Sequence, residues 1–136
     1  MKKLKTRAGF TLLELLVVIG IIGLLVSVGI SSFSTAQKKA RDAKRKSDLK
    51  AIQSALEQYY SVCGFTYPVP SGGNVPSSIA CASPSVTLMN SVPLDPKSNV
   101  SYTMTQTSTS DYTICAPNNP PLEAESTNPY CLTNQQ

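Results

Sequence analysis

The sequence contains neither histidine nor tryptophan. Histidine is the commonest general base and metal ligand at neutral pH, so its absence removes the most frequent catalytic and zinc-binding arrangements. No other catalytic constellation stands in its place, and no enzymatic activity is expected. Proline is missing before Pro68 and then occurs ten times, so nothing breaks a helix in the first half of the chain. Charge is sparse, at 15% of residues, and the net +4 is misleading. Of twelve basic residues, Lys2, Lys3, Lys5 and Arg7 fall in the first nine positions, and the other eight balance the eight acids. The chain beyond Gly9 is therefore neutral, which argues against reading its pI as a nucleic-acid signature. Cysteine is absent before Cys63. The four present, Cys63, Cys81, Cys115 and Cys131, show no C-x-x-C spacing and have no histidine to complete a zinc site. Their even number points to two disulfides with three conceivable pairings. Local pairing, Cys63 with Cys81 and Cys115 with Cys131, is preferred over free buried thiols.

What is present is a long apolar run. Phe10 to Ile30 carries one charge, Glu14, in 21 residues. At about 1.5 Å per residue it spans roughly 30 Å, the thickness of a bilayer core. A secretory signal has a shorter apolar centre followed by a small-residue cleavage site. Here Ala8-Gly9 precedes the run, so the apolar segment is expected to stay on the mature protein.

Residues 31–63 read as a continuation of the same helix, rich in good helix formers. Leu49, Ile52, Leu56, Tyr59 and Cys63 recur at steps of three and four, forming a face that needs a cover. Ala36, Ala40, Ala43 and Ser47 form a small-residue stripe on roughly the opposite side. Gly64 is a natural helix stop. From residue 64 to 136 the chain is rich in Pro, Ser, Thr and Asn. Residues 65–98 read mostly as loop, with a short helical turn near 85–90. "SYTMTQT" and "DYTICAP" alternate as a β-hairpin would, at about 100–116, and a short strand is expected at Pro129–Thr133. The expectation is an α+β fold: one long helix packed on a small antiparallel sheet, stapled by two disulfides because so short a region has little core of its own.

The stretch "AGFTLLELLVVIGIIGLL" resembles the class III signal of type IV pilins and related pseudopilins. In that family a basic leader ends in Gly, Phe follows, and Glu stands four positions later. Gly9, Phe10 and Glu14 match in place, with Thr11 between. "CGFTYP" and "VPLDPKS…SYTMT…DYTIC" add weaker similarity to later family stretches. The resemblance implies a pilin-like fold, removal of residues 1–9 by a prepilin peptidase cutting between Gly9 and Phe10, and N-methylation of Phe10. It implies assembly with identical or related subunits by an ATPase-driven platform. It also implies a single-pass inner or cytoplasmic membrane protein, its C-terminal region outside, that later joins a periplasmic or cell-surface filament.

A charge at a helix centre in lipid costs on the order of 3 kcal/mol, and less near the interface. Glu14 lies about 6 Å of helix rise from Phe10, so a lone subunit can still offer it water. The family reading is that Glu14, with Thr11 in the same turn, pairs inside a filament with the new amine of Phe10 on a neighbour. Gly20, Gly23 and Ser27 would allow close helix approach, as small-xxx-small patterns do. Ser31 stands where the family commonly has proline, which favours a straighter helix. The basic stretch "KKARDAKRK" reads as a solvated helix face with i,i+4 pairs such as Asp42 with Lys46; it offers no aromatic stacking platform, so nucleic acid is not an expected partner. No cofactor is expected. Asp95 resembles a loop aspartate that helps hold calcium in some major pseudopilins, but few acids are near it, and a turn built on Asp95-Pro96 is preferred. The competing function is a monomeric, membrane-anchored binding domain, which would need neither the cleavage junction nor the acid. Secretion, motility or adhesion, and DNA-uptake filaments are not separated by these residues.

Overall fold

The computed structural model describes residues 9–117, 122–124 and 130–136, with Ser31 described by its backbone alone. The basic residues expected to form the leader, residues 1–8, and Pro129 of the expected last strand lie outside the described residues. The chain divides into two compact units, Met1–Ala36 and Gln37–Gln136. One helix, α1 (Leu12–Val62), runs through both.

In the first unit every described side chain from Gly9 to Ala36 is exposed. From Leu15 to Ile30 that surface is made entirely of apolar and small residues, among them Ile19, Ile22 and Leu25, and Phe33 follows a little beyond. The helix is long and apolar enough to cross a membrane.

In the second unit α1 becomes two-sided. Leu49, Ile52 and Leu56 are fully buried, Ala55 nearly so, while Ala36, Ala40, Ala43 and Ser47 are not part of that core. The helix ends in a Schellman arrangement. The Phe65 N–H donates to the Tyr60 carbonyl at 3.0 Å, Gly64 takes the left-handed conformation at φ 84°, and the Phe65 ring meets Tyr60 edge-on at 5.7 Å.

Against the buried face lies a three-stranded antiparallel sheet of order β3-β4-β5. Its strands are β3 (Thr103–Thr105), β4 (Thr113–Cys115) and β5 (Cys131–Thr133), with Met104 opposite Ile114 and Ile114 opposite Leu132. Tyr102, Met104, Tyr112 and Ile114 point inward and are buried with the helix residues. A separate hairpin, β1 (Ile79–Cys81) with β2 (Val86–Met89), occupies the stretch expected to be loop with a helical turn near 85–90. That expectation is overturned. Ile79 and Cys81 are buried on either side of exposed Ala80, the period-two pattern of a strand, but the strand is too short for the pattern to declare itself. Cys63 is bonded to Cys81 and Cys115 to Cys131, so one bridge ties the helix end to β1 and the other joins neighbouring strands. The architecture is α+β, with one long N-terminal helix, small antiparallel sheets and two disulfides.

Candidate assembly site

Phe10, Thr11 and Glu14 sit where α1 begins, and the first turn is closed by a capping box. Thr11 Oγ1 accepts from the Glu14 N–H at 3.2 Å, and Glu14 Oε2 accepts from both the Thr11 N–H and the Thr11 hydroxyl at 2.9 Å. Two backbone donors that a helix start leaves orphaned are thus satisfied without water, as an apolar environment requires. The T-x-x-E spacing that encodes this is present in the sequence, and it gives Thr11 a definite role that sequence reading leaves open. Both bonds fall on Oε2. Among the described residues nothing occupies Oε1, which is free for a donor from outside the helix. Phe10, just before the capping box, is 92% exposed.

Further along, Ser27 returns its hydroxyl to the Leu24 carbonyl at 2.8 Å, so its polarity is absorbed within the helix. A Cβ added at Gly20 or Gly23 would meet nothing within 4 Å, so the backbone there is bare for a neighbouring helix. All three residues are exposed on α1.

The basic stretch behaves differently from the expected solvated face. Asp42, Arg45 and Asp48 are each less than 5% exposed. Arg45 donates to Asp42 Oδ1 at 2.8 Å, to Asp95 Oδ2 at 2.5 Å and to Glu123 Oε1 at 3.1 Å. Arg41 forks onto both oxygens of Glu123, at 2.9 and 2.6 Å, and Lys97 adds a third cation at 3.3 Å. Lys44 pairs with Asp48, which also accepts from the Tyr102 hydroxyl. Lys46 lies 5.5 Å from the centre of the Tyr130 ring. The arginines of this stretch are thus spent on acids of the Gln37–Gln136 unit, the head of the molecule, and the positive surface left over is smaller than the composition suggests. Sequence reasoning misses this because, Asp42 apart, the acids that neutralise Arg41 and Arg45 lie 50 and more positions away.

Asp95 does build a turn. Its Oδ1 accepts from the Lys97 and Ser98 N–H groups and the Ser98 hydroxyl. Its other contacts are with Arg45, a cation bonded to both of its oxygens. The residues therefore do not fit calcium. Among the described residues, no group of three or more His, Cys, Asp or Glu is arranged to hold a metal ion. Burial works to raise the Asp95 carboxyl, but the Arg45 guanidinium and the turn N–H groups outweigh it and hold it far below the usual carboxylate range. The hydrogen bond from Arg41, against the effect of burial and with Lys97 and Arg45 assisting, brings Glu123 down to about 2.

Residues 4–30 match the prokaryotic N-terminal methylation motif. The chain is 38% identical over 53 residues to the type IV major pilin protein PilA of Myxococcus xanthus, covering 39% of this chain and 24% of that one. It is 39% identical over 59 residues to the type II secretion system core protein G of Vibrio cholerae, covering 43% and 40%. Against the core protein G of Escherichia coli the figures are 41% over 59 residues, covering 43% and 41%. The match thus spans about a quarter of the Myxococcus protein and two fifths of the other two. No solved structure matches the chain significantly. That motif and those relatives make the N-terminal part of the chain similar to the corresponding part of type IV pilins and type II secretion core proteins.

Proposed function

We propose that this protein is a filament subunit that polymerises through its N-terminal helix after the first nine residues are removed between Gly9 and Phe10. The observation that carries this reading is the full exposure of an apolar helical segment whose only charge, Glu14, is held at the first turn with one oxygen unassigned. Before assembly the segment resides in the cytoplasmic membrane, and its basic leader favours the cytoplasmic face. Cleavage by a prepilin peptidase creates a cationic amine on Phe10, which the same enzyme methylates. In the filament, helices leave lipid and pack on one another, and Glu14 loses access to water. Pairing its free oxygen with the Phe10 amine of a neighbour offsets that loss and fixes the register of otherwise featureless apolar rods. Gly20, Gly23 and Ser27 let those rods approach closely. The assembly platform and its ATPase are separate proteins, and the finished filament stands in the periplasm or at the cell surface.

The test is made in the native host. The mature protein should begin at Phe10 and carry one added methyl group by mass. Glu14→Ala should be cleaved and methylated normally yet give far fewer filaments. A retained leader would overturn the reading and favour a monomeric tethered domain, and a normal filament yield from Glu14→Ala would overturn the pairing of Glu14.

A further inference from the structure

Asp42, Asp95 and Glu123 bring three carboxylates from three separate stretches of chain onto one guanidinium, each at least 95% shielded from solvent at its side chain. Such convergence ordinarily demands a cation, because buried like charges repel and each has lost its hydration. The centre is occupied by the Arg45 guanidinium. It spends Nε on Asp95, NH1 on Asp42 and NH2 on Glu123 and Asp95. The remaining oxygen capacity is also taken. Asp42 accepts the Glu123 and Ala124 N–H groups at 2.9 and 2.7 Å, Asp95 accepts those of Lys97 and Ser98, and Glu123 accepts Arg41 and Lys97. Arg41, Arg45 and Lys97 balance Asp42, Asp95 and Glu123 charge for charge. No buried side-chain polar atom among the described residues lacks a partner.

We propose that Arg45 is the resident cation of this head. Its planar fork, reaching in from α1, fastens the 95–98 turn and residues 122–124 to the helix, a task for which other proteins recruit a divalent ion. The fixing of both stretches is therefore independent of metal. A lysine would not substitute, since it offers a point charge and no fork to span three carboxylates. This inference does not depend on the filament reading.

The experiment follows unfolding of the full chain in detergent micelles through the near-ultraviolet circular dichroism of its tyrosines, in EGTA and in millimolar calcium chloride. The wild-type midpoint should be the same in both. Arg45→Ser leaves three facing carboxylates around vacated space. Its midpoint should fall by on the order of 10–20 °C, in EGTA and in calcium alike. A calcium-induced rise in the wild-type midpoint, or a wild-type-like midpoint for Arg45→Ser, would each overturn the proposal. Should Arg45→Ser fail to accumulate, Arg45→Lys decides. A lowered, calcium-indifferent midpoint supports the proposal, and a wild-type-like or calcium-raised midpoint defeats it.

Discussion

Glu14 attracts notice in the sequence because a carboxylate does not belong in hydrocarbon, and that reasoning directs attention outward, to a partner on another subunit. The structure adds a nearer one. Thr11 and Glu14 cap each other, and the same acid that would register a neighbour also starts its own helix. Thr11→Ala removes the acceptor for the Glu14 N–H and one of two donors to Oε2, and should cost about 1 kcal/mol of helix stability at its first turn. Amide hydrogen exchange in micelles would show this as faster exchange at Glu14 and its neighbours, with Thr11→Ser close to wild type. Equal exchange in Thr11→Ala and wild type would contradict the cap. The pair is legible as a T-x-x-E spacing. The fate of Arg45 is not, because the three carboxylates it meets include two that lie 50 and 78 positions downstream, and no local pattern announces so distant a partner.

Among the elements, α1 is the most legible, for its apolar run and its three-four spacing of Leu49, Ile52 and Leu56 are long signals. The strands are three or four residues each, too brief for alternation to be told from chance. The stretches around Tyr102–Thr105 and Tyr112–Cys115 can be read because aromatic and β-branched residues are dense there. The β1–β2 hairpin cannot, since serine and proline fill its connection and resemble loop. Its place is set by tertiary contacts, with Ile79 completely buried against the helix-facing core. Ile79→Ala should therefore cost about 2–5 kcal/mol, whereas Val86→Ala, across the hairpin and 38% exposed, should change stability by less than about 1 kcal/mol. Thermal or denaturant unfolding distinguishes the two. Similar costs would mean that the hairpin is not anchored through Ile79.

At the scale of the whole molecule, the two units use charge in opposite ways. The Met1–Ala36 unit isolates a single described acid, and the Gln37–Gln136 unit surrounds several of its acids with donors. Glu57 illustrates the second. It accepts from the Tyr67 and Tyr112 hydroxyls at 3.0 and 2.8 Å and from the Gln135 N–H and Gln136 amide at 3.1 Å. Burial pushes its carboxyl up, but these donors, led by Gln136 and Tyr112, outweigh it and bring it below its ordinary value. Asp95 and Glu123 are lowered as well. Carboxyls depressed by folding stabilise the folded head above their unfolded values, and that contribution disappears as pH falls through the folded ones. The head should hold its melting midpoint from neutrality to about pH 5, then lose it steadily from 4.5 toward about 2, where Glu123 protonates. Asp95→Asn should start lower and show a shallower acid decline. A midpoint unchanged at about pH 3, roughly midway through that range, would show that the carboxylates contribute little.

The tyrosines complete the pattern. Burial first, and then the facing carboxylates of Glu57 and Asp48, push the hydroxyls of Tyr67, Tyr112 and Tyr102 upward. In a chain without histidine, acids shifted down and phenols shifted up leave a wide quiet band around neutrality. Across that band these acids and phenols keep their charge, so the hydroxyl-to-carboxylate contacts that seat the sheet on α1 persist unchanged through the neutral range.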